Sequence, residues 1–271
     1  MRNTLKTVGA AFLLSMMTVP PALAAQCGNT SAGFNAWVAE TKREAAARGF
    51  NQRTINATLG NVSYSRKTIN ADRNQRSFKL SLDQFMKKRG AATIVRKGKQ
   101  LKQRHAQLFD SLERRYGVPP GVILAIWGME TGFGGFMGNS DTISALATLA
   151  YDCRRSEFFT NELYAAMTII QQGQLNRNQM RGAGHGELGH TQFLPSSYLK
   201  FAVDGDGNGR RDLVGSKTDA LASTANYLRA HGWKRGRGYQ PGERNFAAIQ
   251  AWNAASVYQQ SIAIIGFQID N

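Results

Sequence analysis

The chain has 271 residues, of which 42% are hydrophobic, so it is long enough for a sizeable core in one large domain or two small ones. It carries 34 Lys and Arg against 18 Asp and Glu, and this net charge of +16 indicates an anionic partner. No stretch is apolar over the roughly 20 residues that a transmembrane helix needs, which argues against an integral membrane protein.

The first 24 residues predict a secretory signal. Arg2 and Lys6 precede an apolar run over residues 8–19, and Ala22-Leu23-Ala24 has the small residues of a cleavage site. We therefore expect export to the periplasm, where the mature chain has a net charge of 16 − 2 = +14. The anionic partner is then a wall polymer, a lipid surface or another polyanion, and not nucleic acid. The residues before Cys27 do not fit a lipoprotein signal, so we expect no lipid anchor.

Two cysteines, Cys27 and Cys153, remain after removal of this signal. In an oxidising compartment they either form one disulfide, which would tie the N-terminal tail to the core, or stay as two free thiols. Their spacing does not indicate a metal site.

The rest of the chain shows helical spacing of its apolar residues. We expect helices over about residues 34–48, 51–59, 80–89, 92–116, 119–131, 142–149, 156–172, 198–202, 216–231 and 246–266. The last is interrupted at Asn253 and at residues 256–258, and His105 should be a packed core histidine. Residues 63–76 are predicted to be a surface connection, and any small sheet should lie within residues 173–192. The predicted class is mainly α, or α+β with a small loop-rich lobe.

Residues 118–135 predict a short, almost wholly apolar helix that begins at Pro119-Pro120 and carries one charge, Glu130, near its end. A carboxylate at a helix C-terminus faces the negative end of the helix dipole, and burial disfavours its charge further. Both effects raise the pKa of Glu130, which suits a general acid. The alternative is a structural glutamate paired with an arginine.

An acidic, glycine-rich stretch predicts a calcium loop. Oxygen ligands fall at the spacing of such a loop on Asp204, Asp206, Asn208, the carbonyl of Arg210, and Asp212. Gly215 stands where the twelfth-position glutamate is usual, so Asp212 or Asp219 would complete the shell, or the site is weak. The ion would be structural; a metal-free turn stabilised by aspartate side chains is the alternative.

Other reaction types find little support. His185 and His190 are five residues apart without further zinc ligands, and no nucleophile elbow or phosphate-binding loop occurs. Glu130 remains as a candidate acid among residues that could contact a sugar polymer through stacking, amide bonds or charge. These are Tyr198, Trp252 and Tyr258 for stacking, Gln192 and Asn253 for acetamido groups, and Arg154 and Arg155 for carboxylates.

Taken together, these pieces resemble the membrane-bound lytic transglycosylase B family of peptidoglycan-cleaving enzymes. The matching motifs occur in family order and cover about residue 34 to the C-terminus. They are Tyr116-Gly117-Val118-Pro119-Pro120, Ile126-Trp127-Gly128-Met129-Glu130-Thr131, Arg154-Arg155-x-Glu157, Gly189-x-x-Gln192-Phe193-x-Pro195-Ser196-Ser197-Tyr198, the acidic loop, Ala225-Asn226-Tyr227 through Trp233, and Trp252-Asn253 with Tyr258.

The resemblance implies a lysozyme-like fold with a groove, an N-terminal helical part over about 34–90 and a catalytic core over about 91–271. It implies cleavage of the MurNAc–GlcNAc β-1,4 bond without water, with Glu130 as the sole acid and base and no cofactor for the chemistry. It also implies glycan binding by Arg154, Arg155, Gln192, Asn253 and Tyr258, with Phe158 and Phe85 as aromatic groove residues. We expect a monomer that binds peptidoglycan strands.

Two departures from the family pattern lie in one loop. Ala183-Gly184 replaces the usual Ser-Trp pair, and Glu187 adds a second carboxyl. If Glu187 positioned a water on the far face of the sugar, the enzyme would be a hydrolase of lysozyme type. A cationic wall-binding protein without activity is the alternative from another class.

Overall fold

The computed structural model describes residues 25–74 and 79–271, so the predicted signal over residues 1–24 lies outside the described residues. Within them the chain forms thirteen α-helices. These are α1 (Phe34–Ala47), α2 (Gln52–Leu59), α3 (Arg66–Arg73), α4 (Leu82–Arg89), α5 (Ala91–Arg104), α6 (Ala106–Tyr116), α7 (Pro120–Thr131), α8 (Thr142–Tyr151), α9 (Ser156–Gln171), α10 (Pro195–Phe201), α11 (Lys217–Ala230), α12 (Phe246–Trp252) and α13 (Ser256–Asp270).

The described residues also contain two short 3-10 helices, Ser31–Gly33 and Arg177–Gln179, and one small antiparallel strand pairing. Strand β1 (Ser140–Asp141) pairs with β2 (Arg181–Gly182). The mainly α class is confirmed, and one of the two strands lies in the region where the sequence predicts a small sheet. In the described residues, no helix combines the length and the apolar character that crossing a lipid bilayer requires.

Helix α3 corrects the predicted surface connection over residues 63–76. Ser65 caps it, because its side chain accepts a hydrogen bond from the Thr68 N–H at 3.1 Å. Ile69 and Asp72 on one face are buried. The sequence hides this helix because its buried face includes an aspartate, which a search for apolar periodicity does not count.

The predicted helix over residues 92–116 is wrong in its continuity, because it breaks at His105, where φ is −118° and ψ is 35°. Helix α5 packs against α7 and α13, whereas α6 packs against α11 and α7. The two halves therefore leave the junction in different directions. His105 lies half-buried at this junction and not inside the core.

Near the C-terminus, α13 begins at Ser256, although the sequence analysis places residues 256–258 outside the helix. This helix runs alongside α7 at very close range. A Cβ atom added to Gly121 would lie 2.1 Å from the Gly266 carbonyl oxygen, so only glycine permits this approach. The contact fixes the position of α13 relative to the helix that carries Glu130.

The helices enclose two hydrophobic cores. The first is formed mainly by α1–α3 with α8–α10, and the second by α4–α7 with α12 and α13; α11 contributes to both. The division into parts at about residue 90 stays a prediction. Cys27 and Cys153 form a disulfide that ties the N-terminal segment to the end of α8.

Candidate active site

Glu130 is the one charged side chain of a helix that is otherwise buried. Pro120 occupies the first turn of α7, and Gly132, with φ of 59°, ends the helix in the left-handed region. Eleven of the twelve residues of α7 are buried, and Glu130 is half-buried. The helix thus brings a carboxyl group to the edge of the second core.

Two buried or half-buried side chains hold this carboxyl group. The Tyr258 hydroxyl donates a hydrogen bond to Glu130 Oε1 at 2.7 Å, and Trp252 Nε1 donates to the same oxygen at 3.1 Å. No hydrogen bond from the described residues reaches Oε2. Oε2 is therefore the oxygen that can carry the exchangeable proton.

The surroundings of Glu130 set its pKa near neutrality. Burial raises the pKa of Glu130 to about 7, against the lowering effects of the hydrogen bonds from Tyr258 and Trp252. The nearby charge of Glu187 raises this pKa further, and Arg89 lowers it. Near pH 7 both protonation states are populated, which is the condition for a group that serves as acid and then as base.

The glycine-rich loop after β2 is fastened to the end of α7. Thr131 Oγ1 donates a hydrogen bond to the His190 carbonyl oxygen at 2.6 Å, and the His190 ring packs on Trp127 with centroids 5.9 Å apart. Further along the chain, Phe193 packs on Trp252 at 5.4 Å. These contacts place the loop beside Glu130.

Gln192 holds the same loop through its amide group. Its backbone has φ of 50°, and its Nε2 donates to the carbonyl oxygens of Met137 at 3.2 Å and Gly189 at 2.8 Å. Its Oε1 accepts from the Ala183 N–H at 3.4 Å. The half-buried amide therefore links the loop to the segment after α7, and its role as a glycan ligand stays a prediction.

Arg154 and Arg155, at the start of α9, both form ion pairs with the buried carboxylate of Asp72 on α3. Their side chains are 43% and 42% exposed, so each keeps accessible N–H groups. Phe158 is 44% exposed, and Arg155 stacks over the neighbouring Phe159 ring at 4.7 Å. Asp72 was missed by the sequence analysis because its partners lie more than 80 residues away.

Three predicted aromatic contacts with sugar are wrong, because the rings are inside the protein. Tyr198 is 0% exposed and its hydroxyl donates to the Arg211 carbonyl oxygen. Phe85 is also fully buried and packs edge-to-face on Tyr258 at 6.0 Å. Tyr258 itself is 2% exposed and binds Glu130 instead of a sugar ring. Stacking requires an exposed ring face, which these side chains lack.

Asn253 and Trp252 lie at the junction of α12 and α13. Asn253 Oδ1 accepts a hydrogen bond from the Ala255 N–H at 2.9 Å, and its carbonyl oxygen accepts from Gln259 Nε2 at 2.7 Å. Asn253 therefore shapes the junction that directs Trp252 toward Glu130. A further residue missed by the sequence analysis is Arg89 on α4, which lies over the Tyr258 ring at 5.6 Å.

The acidic loop converges on Asp219, at the start of α11. Asp219 Oδ1 accepts from the N–H groups of Gly205 and Asp206, and its Oδ2 accepts from the Asp212 N–H. One oxygen from each of Asp204, Asp206 and Asp219 lies within 4.8 Å of the others. This places Asp219, and not Asp212, beside the first two predicted ligands.

The remaining predicted ligands serve the turns of the loop. Asn208 Oδ1 accepts from the Arg210 N–H at 2.8 Å, and Asp212 Oδ1 accepts from the N–H groups of Val214 and Gly215. Three backbone N–H groups lower the pKa of Asp204, that of Gly209 most strongly, so this carboxylate stays ionised.

The sequence model for the Transglycosylase SLT domain matches residues 33–243. The chain belongs to this family. Membrane-bound lytic murein transglycosylase B of Escherichia coli is 41% identical over 134 residues, which are 48% of this chain and 37% of that protein. The matched part is thus less than half the length of that relative.

Solved structures agree with this assignment. SltB3 of Pseudomonas aeruginosa, in complex with NAG-anhNAM-pentapeptide, has a TM-score of 0.80 and 30% identity, covering 86% of this chain and 78% of that one. Slt35 of Escherichia coli, in complex with calcium, has a TM-score of 0.70 and 23% identity, covering 93% of this chain and 98% of that one, which shows the fold alone. The predicted family and its helical fold are confirmed.

Within this Transglycosylase SLT domain, three predicted glycan ligands have exposed surface near the loop. Arg154 and Arg155 present partly exposed guanidinium groups, and Phe158 presents a ring face. Their contacts with a glycan stay predictions.

Proposed function

We propose that this protein cleaves the MurNAc–GlcNAc β-1,4 bond of peptidoglycan without water and leaves 1,6-anhydro-MurNAc ends. Membership of the Transglycosylase SLT domain family supports this reaction. SltB3, at 30% identity, was solved with both NAG-NAM-pentapeptide and NAG-anhNAM-pentapeptide. The observation that carries the proposal is the Glu130 carboxyl group, bound through one oxygen by Tyr258 and Trp252 and with a pKa of about 7.

In the first step the neutral Glu130 donates its Oε2 proton to the glycosidic oxygen, and the bond from that oxygen to the anomeric carbon breaks. The carbonyl oxygen of the substrate's 2-acetamido group bonds to the anomeric carbon and forms a cyclic oxazolinium ion. Glu130 becomes a carboxylate, which the donors on Tyr258 and Trp252 stabilise. The GlcNAc unit leaves with the transferred proton.

In the second step the Glu130 carboxylate takes the proton of the MurNAc 6-hydroxyl. The freed O6 bonds to the anomeric carbon, the bond to the acetamido oxygen breaks, and the 1,6-anhydro ring forms. Glu130 regains its proton and the cycle closes. One carboxyl group suffices because the substrate supplies both the internal assistance and the final nucleophile, whereas ordinary glycosidases need two carboxylates.

Mass spectrometry of purified murein after digestion tests this function. We expect 1,6-anhydromuropeptides. Reducing-end products would instead identify a hydrolase, the second candidate, in which Glu187 would position the attacking water. Binding of murein in a sedimentation assay without any turnover would identify a cationic wall-binding protein.

Replacing the Tyr258 hydroxyl should change the pH dependence of cleavage. Tyr258→Phe removes a donor that lowers the pKa of Glu130, so the alkaline limb of the rate profile should move to higher pH. The rate should fall about 10- to 100-fold, because a hydrogen bond to a charged group is lost. Rates across the pH range measure both effects.

Tyr239→Phe is the matched control, since Tyr239 is also buried and donates to a carboxylate, that of Asp270, at 2.8 Å. We expect its alkaline limb to match the wild type. An unchanged limb in Tyr258→Phe would contradict the assignment of Tyr258 as a donor to Glu130.

We also propose that the acidic loop binds a structural calcium ion. The supporting observation is the convergence of carboxylate oxygens from Asp204, Asp206 and Asp219, the hard oxygen donors that calcium prefers. The ion would hold the loop to the start of α11. It would take no part in the cleavage step, for which no cofactor is proposed.

Calcium should raise the melting temperature, and a chelator should lower it. At free calcium about 100-fold above Kd the stabilisation is about 2.7 kcal/mol. Asp206→Asn should reduce the shift, whereas Asp212→Asn should keep it, because the Asp212 side chain caps a turn outside the carboxylate cluster. A wild type that melts at the same temperature with calcium and with chelator would contradict the site.

We propose that this activity takes place in the periplasm. The predicted signal over residues 1–24 supports export, and the disulfide between Cys27 and Cys153 suits an oxidising compartment. The net positive charge complements anionic groups of the cell wall.

A further inference from the structure

His185 and Glu187 form a polar pair on the loop between β2 and α10. Each side chain is 29% exposed, and His185 Nδ1 lies 4.0 Å from Glu187 Oε2. Among the described residues, neither Glu187 Oε2 nor His185 Nε2 has a hydrogen-bond partner, although both atoms are buried. Buried polar atoms without partners cost free energy, so the fold does not hold this pair in place for stability.

The backbone around the pair is locked by other contacts. Gly184 and Gly186 have φ values of 108° and 99°, and a Cβ atom on Gly186 would lie 2.3 Å from Leu146 Cδ2. Leu188, the residue after Glu187, exchanges two backbone hydrogen bonds of 3.0 Å with Phe193. The loop therefore holds the backbone that carries the two side chains, while Glu187 Oε2 and His185 Nε2 stay without partners among the described residues, as in a preformed binding site.

The pair also lies close to the candidate acid. The Thr131 bond to His190 and the Phe193 contact with Trp252 fasten both ends of this part of the loop next to Glu130. The charge of Glu187 raises the pKa of Glu130, which is consistent with a short separation.

Charged and titratable groups face Glu187 from several elements. His185 lies on the same loop as Glu187, and Arg155 lies just before α9. Glu130 faces Glu187 from α7, and Tyr258 faces it from α13. Arg89 on α4 faces Glu130 and Tyr258. A substitution of Glu187 can change the pH dependence of cleavage through its effect on these groups.

We propose that His185 and Glu187 form a hydrogen-bonding pair that binds the sugar held against Glu130 and determines how tightly this chain holds its glycan. The inference rests on the proposed function and deepens it. A carboxyl group beside an imidazole offers both donors and acceptors, which suits a hydroxyl or an acetamido group. The pair occupies the loop in which Ala183-Gly184 lacks the polar and aromatic side chains usual in the resembled family.

The pair is assigned to binding and not to the activation of water. Burial raises the pKa of Glu187, which favours the protonated form. A protonated carboxyl group donates a hydrogen bond to a sugar oxygen, as a binding residue does. The products should therefore remain 1,6-anhydro sugars when Glu187 is present and when it is replaced.

Kinetics on soluble murein fragments test the pair. In Glu187→Ala we expect KM to rise about tenfold, as for the loss of one good hydrogen bond, and kcat to stay within about threefold. Glu187→Gln should restore much of KM, because its amide donates and accepts.

Two controls separate binding from structure. Glu113→Ala, at an exposed glutamate on α6, should leave KM unchanged. Melting temperatures of Glu187→Ala and Glu187→Gln should not fall, since the buried oxygen has no partner to lose. A lower melting temperature together with a lower kcat would assign Glu187 a structural role and overturn the inference.

A binding assay keeps the inference testable even if the proposed function fails. In a Glu130→Gln background, adding Glu187→Ala should weaken binding to murein, measured by sedimentation, about tenfold. If the pair binds the acetamido group, the two proteins should bind N-deacetylated murein equally well. A difference that persists indicates a hydroxyl. Equal binding by the two proteins, or a switch from reducing-end to anhydro products in Glu187→Ala, would overturn the inference.

Discussion

Glu130→Gln is expected to reduce the formation of 1,6-anhydromuropeptides by at least about 1000-fold. General acid and base catalysis contributes about 10²- to 10⁴-fold, and Glu130 serves in both steps of the proposed reaction. Glutamine has the same shape, and its Oε1 can accept the hydrogen bonds from Tyr258 and Trp252. It has no proton to give to the glycosidic oxygen. Product formation over time, measured by chromatography with mass spectrometry, checks this result.

The stability of the same variant is the control. The pKa of Glu130 is raised from 4.5 to about 7 in the folded protein, so folding favours the protonated form. The wild type should therefore lose stability as pH rises from about 4.5 through about 7, by about 3 kcal/mol in all. Glu130→Gln lacks this loss and should be the more stable protein at pH 8. An inactive variant that is less stable than the wild type at pH 8 would show misfolding instead of lost chemistry.

Local signals explain why the position of Glu130 could be predicted from the sequence. Pro120 and Gly132 mark the two ends of α7, and the unbroken apolar run between them requires burial on every face. A single carboxyl group at the end of such a helix is therefore expected at the edge of the core. The predicted rise in its pKa is confirmed, with burial as the largest cause.

The partners of Glu130 could not be predicted from local signals. Trp252 and Tyr258 are 122 and 128 residues away from it in sequence, and the sequence predicts sugar stacking for both. An aromatic residue in a motif has the same sequence signature whether its ring faces a groove or the core. Only the packing of α13 on α7 decides between these roles, and that packing depends on Gly121 and Gly266.

Polar residues inside the fold were the other source of error. Asp72 lies on a helix that composition alone does not indicate, and its ion pairs with Arg154 and Arg155 join α3 to α9. Asp219 is one of two alternatives for the calcium loop, and the structure groups one of its carboxylate oxygens with those of Asp204 and Asp206. In both cases ion pairs or hydrogen bonds compensate the burial of a charge, and the spacing of apolar residues does not indicate such contacts.

Of the variants proposed for this protein, the one without the disulfide should show the largest decrease in the free energy of unfolding. Cys27 and Cys153 are 126 residues apart, and by chain entropy a crosslink of that span stabilises the folded state by about 5 kcal/mol. The double variant Cys27→Ser, Cys153→Ser should lose up to this amount in denaturant unfolding. Reductant should destabilise the wild type to a similar extent and leave the double variant unchanged. An equal response of both proteins to reductant would contradict the crosslink.

The place of the crosslink predicts which function survives its loss. It joins the N-terminal segment to the end of α8, in the first core, and Gly28 adds a hydrogen bond of 2.9 Å from its N–H to the Tyr151 carbonyl oxygen. Glu130 and Tyr258 belong to the second core or its edge. Under conditions where the double variant stays folded, its kcat should therefore remain within a few-fold of the wild type. KM can rise, because Cys153 directly precedes Arg154 and Arg155. A collapse of kcat with unchanged KM would show that the two cores are coupled.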